Sequence, residues 1–151
     1  MQRLRTAIVA SALAVTMFAC ATHVNISPTH REDLNAQSRV LAIAARNLED
    51  AVRGHSATPA EEEAAKAVAN FHTESEDFAR AAGRWLSDDN VNDRYERFIE
   101  AWVKMKQTFP NLKADALTQE SYQRVVQEWE KLARVSGYAG KKYEQKIEQG
   151  K

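Results

Sequence analysis

Apolar side chains recur along most of this chain in alternating steps of three and four residues, the signature of helices with one buried stripe. Leu34, Leu41 and Leu48 repeat every seven positions, with Ser38, Ala45 and Val52 four further on, predicting a helix from about Pro28 or His30 to Arg53. Val40, Ile43 and Ala44 are expected to widen its face. A second seam runs through Ala64, Val68, Phe71, Ser75, Phe78, Ala82 and Trp85. Val91, Tyr95, Phe98, Trp102, Met105 and Phe109 form a third, and Tyr122, Val125, Trp129, Leu132, Ser136, Ala139 and Tyr143 a fourth.

Start and stop signals agree with these seams. Thr29 with Glu32 has capping-box spacing, and Thr58-Pro59-Ala60-Glu61 combines a cap, a proline suited to the first helical position and a glutamate able to reach back. The third helix is expected near Asn90, after Ser87-Asp88-Asp89, and Pro110 stops it. The fourth is expected from near Thr118, or slightly earlier, with Thr118 read as a cap. Gly137 and Gly140 each cost about 1 kcal/mol inside a helix, yet the apolar rhythm passes through them. That predicts one frayed or bent fourth helix.

Acid-before-base pairs four residues apart, Glu49–Arg53, Glu62–Lys66, Glu76–Arg80, Asp93–Arg97, Glu100–Lys104 and Glu130–Arg134, mark the solvated faces. Short connections at Gly54–Ala57 and Ser87–Asn90, with a longer turn at Phe109–Leu117, force neighbouring helices to run in opposite directions. The fold class expected is all-α, an antiparallel up-down-up-down four-helix bundle over residues 28–151. Burial of one large side chain stabilises by about 1.5–3 kcal/mol, so the aromatics of the last three seams suffice without a cofactor.

The first nineteen residues have a different character. Arg3 and Arg5 are followed by an uncharged run from Ala7 to Ala19. As a helix it would span about 20 Å, short of the roughly 30 Å hydrocarbon core, and it reads as the apolar part of a secretory signal peptide. Met17-Phe18-Ala19-Cys20 resembles the bacterial lipoprotein signal, in which a small residue precedes a lipidated Cys that becomes the mature N-terminus. The resemblance covers the leader alone, residues 1–19. It implies a lipid on Cys20, the only Cys, followed by a tether over 20–27. With Ala21 rather than Asp after the Cys, it implies the outer membrane facing the periplasm. Ordinary cleavage after Ala21 is the alternative, because Ala19-Cys20-Ala21 is also a small-x-small site. Asn25-Ile26-Ser27 matches a glycosylation sequon, a chance match in a bacterial chain.

Charge narrows the partners. The chain has 21 basic and 21 acidic residues, and loss of Arg3 and Arg5 with the leader leaves acids in excess. A nucleic-acid surface and a polybasic membrane patch are both unsupported.

Candidate chemistry is sparse. A di-iron bundle site needs Glu-x-x-His motifs, and none occurs. Covalent haem needs Cys-x-x-Cys-His, which a single Cys excludes. A non-covalent haem or a metal would have to use His72 and Met105, or His72 with Glu76 one turn on, too few ligands for a stable metal site. A flanking His and a gap-filling core Met account for the same positions. No nucleophile elbow or phosphate loop is present, so an enzyme is not expected and no cofactor is assigned. Leu117-Thr118-Gln119-Glu120-Ser121 resembles the Leu-Thr-x-x-Gln signature of periplasmic helical chaperones and stress sensors, with Ser121 in the Gln position. Gly137-Tyr138-Ala139-Gly140 suits either a partner helix or close helix packing. The function expected is a non-enzymatic envelope lipoprotein with a structural or protein-binding role. A haem- or metal-binding bundle and a helical chaperone or sensor are the alternatives.

Overall fold

The seams become helices of the expected lengths in a computed structural model, which describes residues 24–26, 30–55 and 57–150. Among the described residues there are five helices and no strand: α1 Arg31–Val52, α2 Pro59–Arg84, α3 Asp88–Thr108, α4 Ala116–Val135 and α5 Ala139–Glu148. A 3₁₀ turn, Phe109–Asn111, follows α3 at Pro110. None of these helices is long and apolar enough to cross a membrane.

On α1 the six expected seam residues, Leu34 to Val52, are all buried. Val40 and Ile43 do not widen that face; they are 41% and 61% exposed. Ile43 stands two residues from both Leu41 and Ala45, about 200° round the helix, which turns it away from the seam. Ala44, beside the seam, is buried as expected. The small seam residues Ser38 and Ser75 return their hydroxyls to the backbone carbonyls of Asn35 and Phe71, so they pack without an unpaired polar atom.

Two helix starts follow the local signals. Thr58 Oγ1 accepts from the Glu61 amide at 3.2 Å, while Glu61 reaches back to the Ala57 amide, one residue before the usual capping-box partner. Ser87 caps α3 through the Asn90 amide, so α3 begins at Asp88. At α4 the expected cap is corrected. Asp115 accepts from the Thr118 amide at 2.8 Å, and the Thr118 hydroxyl instead donates to the Ala51 carbonyl on α1. An aspartate at the cap position also places a negative charge at the positive end of the helix dipole, which Thr118 could not do. Thr29 lies outside the described residues, and α1 begins after His30 without a side-chain cap.

The single fourth helix is also corrected. It is two helices joined at Ser136–Tyr138. Gly137 has φ +65°, its amide donates to the Arg134 carbonyl and the Tyr138 amide to the Ala133 carbonyl at 2.7 Å, the Schellman pattern that ends a helix. Tyr138 is itself left-handed at φ +61°, which turns the chain back. The next glycine serves contact: a Cβ on Gly140 would lie 2.8 Å from the Trp129 ring and closer still to the Tyr95 hydroxyl.

Backbones approach closely between α1 and α2, α2 and α3, and α1 and α4. Between α3 and α4 large rings fill the space. Tyr95, Phe98 and Trp102 meet Trp129 with centroids 6.4, 5.5 and 5.6 Å away, and Phe71 and Phe78 continue the cluster onto α2. α5 packs on α3 beside this gap.

Within the expected tether over 20–27, residues 24–26 are docked on α3. The Val24 amide donates to Glu96 at 2.7 Å and the Ile26 amide to Asn92 at 3.0 Å, and both side chains are buried. They pack beside α3 close to the end of α4, where Val24 and Val135 line the same cleft.

Solvated pairs follow the expected spacing at Glu49–Arg53 and Glu62–Lys66. Elsewhere the side chains choose partners across helices. Lys104 pairs with Glu63 on α2, Glu130 with Lys141 on α5, and Glu100 accepts from the Tyr143 hydroxyl. Long flexible side chains reach a neighbouring helix as easily as the next turn of their own.

Candidate functional site

His72 projects from α2 toward α1, where its Nδ1 lies 2.5 Å from Glu49 Oε2. On the other side its Nε2 is 3.1 Å from Glu76 Oε1, yet it makes no hydrogen bond. The two carboxylates address opposite ring nitrogens, so they share no point at which one ion could sit. No group of three or more His, Cys, Asp or Glu side chains is placed to hold a metal among the described residues. Sequence reasoning paired His72 with Glu76 but missed Glu49, 23 positions earlier, because nothing local links residues on two helices. Met105 is fully buried on α3, in the seam. Cys20 lies outside the described residues.

A second polar cluster holds α5 in place. Glu144, only 8% exposed, accepts from Trp102 Nε1 at 2.8 Å and from Lys106 Nζ at 2.6 Å, and Lys106 also pairs with Glu148. Tyr95 and Ser136 share a buried hydrogen bond of 2.7 Å at the turn. Burial pushes the Tyr95 hydroxyl far above its ordinary value, against the Ser136 hydrogen bond and with the Glu144 charge. Tyr143 is pushed up to about 12 by burial and by its hydrogen bond to Glu100. Burial lowers the Lys106 value, but its bonds to Glu144 and Glu148 outweigh that and raise it. Ser136 and Tyr143 were read as one helix's continuing stripe, and their partners on α3, Tyr95 and Glu100, were not legible.

Glu128 on α4 is a buried carboxylate with three polar partners. It accepts from Gln37 Nε2 at 2.8 Å, lies 2.9 Å from Arg124 and bonds Lys131 at 3.0 Å. Burial raises its value, but Gln37, Lys131 and the Arg124 charge together hold it below the usual carboxylate range. The charges of Glu128 and Glu144 are answered where they stand, which is how side chains lock helices together, whereas His72 Nε2 and Glu74 Oε2 are buried without a hydrogen bond. A reactive group would need a free lone pair or proton aimed into a shared space.

The surface offers one cleft of different character. It has a volume of about 490 Å³ and lies where the docked N-terminal segment meets the α4–α5 turn. Val24, Gly137, Lys142 and Tyr143 line it. Across Val24 from it, Asp88, Asp89 and Asp93 line a separate acidic depression at the start of α3. A further shallow groove, between Ala44 and Asn47 of α1 and Leu117 and Ser121 of α4, carries the exposed Leu117 at its edge.

Comparison with protein-family models, curated proteins and solved structures finds no match.

Proposed function

We propose that this chain is an exported bacterial envelope protein, anchored to the outer membrane by a lipid on Cys20, whose helical domain serves a structural or protein-binding role. The observation that carries the reading is the leader: a positive start, a thirteen-residue apolar run and then Ala19-Cys20, the only Cys in the chain. Attachment by more than one acyl chain is stable, each buried methylene contributing about 0.8 kcal/mol. The domain is read as an antiparallel up-down-up-down four-helix bundle with α5 added as a short return. Supporting that topology, Arg31 meets Arg84 while Glu49 meets His72, Glu63 meets Lys104 while Asp77 meets Arg94, and Gln37 meets Glu128 while Ala51 meets Thr118. Each helix pair is thus matched in reversed order.

A binding role is favoured over catalysis because Glu128 and Glu144 are held by neighbouring side chains and no three ligating groups converge among the described residues, while Ile43 and Leu117 remain 61% and 66% exposed. The test of the anchor is the mass of the N-terminal peptide of protein extracted from its host's membranes. A diacylated Cys20 supports the proposal; an unmodified peptide beginning at Thr22 overturns it.

A further inference from the structure

The docked segment sets how far the domain can stand from its lipid. Only three residues separate Cys20 from Val24, and Val24 is fixed by its amide to Glu96. Fully extended, that stretch reaches about 14 Å. The α4–α5 turn adjoins Val24, since both line the same cleft. The beginning of α4 lies about 30 Å further along a helix of 20 residues. Whatever holds the lipid must therefore lie close to this turn.

The turn has the chemistry of a headgroup contact. Tyr138 is 47% exposed, and its left-handed backbone is one of two such non-glycine conformations among the described residues. A tyrosine there is strained by about 1–2 kcal/mol where glycine or asparagine would be relaxed. Lys141 Nζ stands 5.8 Å over that ring, and Lys142 beside it is exposed. An amphipathic ring flanked by lysines suits the boundary between acyl chains and anionic headgroups. Lys141 is itself paired with Glu130, which leaves Lys142 as the exposed lysine beside the ring. The other side of Val24, with Asp88, Asp89 and Asp93, has the opposite sign and is unsuited to the same surface.

Resting on the lipid anchor proposed above, we infer that the α4–α5 turn, Gly137–Lys142, is the face with which the domain seats on an anionic bilayer. The probe is the mature chain carrying a diacyl lipid on Cys20 in vesicles of phosphatidylethanolamine and phosphatidylglycerol, with lysine acetylation followed by peptide mass. Relative to the Cys20→Ser protein in solution, Lys142 acetylation is expected to slow by roughly fivefold or more, while Lys113, exposed before α4, changes by less than about twofold. Tyr138→Asn, which the left-handed backbone tolerates, is expected to keep the fold and return Lys142 to within roughly twofold of its solution rate. Equal rates for Lys142 and Lys113 on vesicles would overturn the inference. So would protection of Lys142 in host membranes that is absent on protein-free vesicles, which would assign the turn to a protein partner. Coupling a synthetic diacyl maleimide to Cys20 lets the footprint be read even where the host's protein proves unlipidated, so failure of the anchor and failure of the seating face give different results.

Discussion

Gly140→Ala separates a continuous fourth helix from a docked return, because the two arrangements give opposite signs. In an uninterrupted helix the substitution would stabilise by about 1 kcal/mol, the helix preference of alanine over glycine. In this structure the new methyl would stand 2.8 Å from Trp129 Cη2 and 2.9 Å from Tyr95 Cζ. Both rings are buried, Trp129 at 2% and Tyr95 at 0% exposure. Overpacking of this kind costs about 1–3 kcal/mol. Displacing Tyr95 from Ser136 leaves a buried hydroxyl short of its partner, a further ~1–3 kcal/mol. Against the helix-propensity gain, the net expectation is a loss of about 1–5 kcal/mol. Urea unfolding followed by far-ultraviolet circular dichroism measures it, and near-ultraviolet dichroism reports the disturbed Trp129 environment. A variant as stable as the parent, or more so, would refute the docking of α5. Gly137→Ala serves as the comparison: its Cβ meets nothing within 4 Å, so only the φ of +65° opposes it, and its near-ultraviolet spectrum should be unchanged.

Ile26→Ala should cost about 2–4 kcal/mol in urea unfolding, because Ile26 is 2% exposed; a change under about 0.5 kcal/mol would show that the segment is a loose tether after all. Stability should fall on acidification below the ordinary glutamate value of 4.5, since Glu128 is held below it and the unfolded chain then binds more protons than the folded one; a urea midpoint that stays flat from about pH 6 to about pH 3 would contradict this. At alkaline pH the sign reverses. Tyr95, Tyr143 and Lys106 all have raised values and all bear on α5, so their stabilisation is complete below about pH 10 and is lost as pH rises toward the Tyr143 value of about 12. Hydrogen exchange across residues 139–148 should accelerate over that window before α1 and α2 respond; simultaneous loss of all helices would count against it.

The stripes on α1, α2 and α3 were legible because a helix needs only one buried face and the heptad rhythm reports that face directly. Every expected seam residue from Leu34 to Val52 and from Val91 to Phe109 is buried. The α4–α5 break was hidden because the same rhythm persists across it: Ser136, Ala139 and Tyr143 keep the spacing while the chain reverses. The available signal was Gly137 just past Arg134, a glycine after a basic last turn, which marks a helix end more specifically than the apolar spacing marks continuation. Asp115 was overlooked because Thr118 stood closer to the apolar run, although a cap is set by the backbone amide it meets. Residues 24–26 gave no helical or strand pattern, and their burial depends on packing beside α3 close to the end of α4. The partners of His72 and Glu144 lie on other helices, and sequence spacing carries no information on such pairs until the helices have been assembled.

The claim on which the functional reading stands is that a lipid on Cys20 anchors the protein to a membrane. Flotation of host membranes on a density gradient, with the parent chain and Cys20→Ser side by side, tests it most directly. The parent should float with the outer-membrane fraction and resist a high-salt wash, while Cys20→Ser should remain with the soluble periplasmic proteins. Equal flotation of the two would contradict the account.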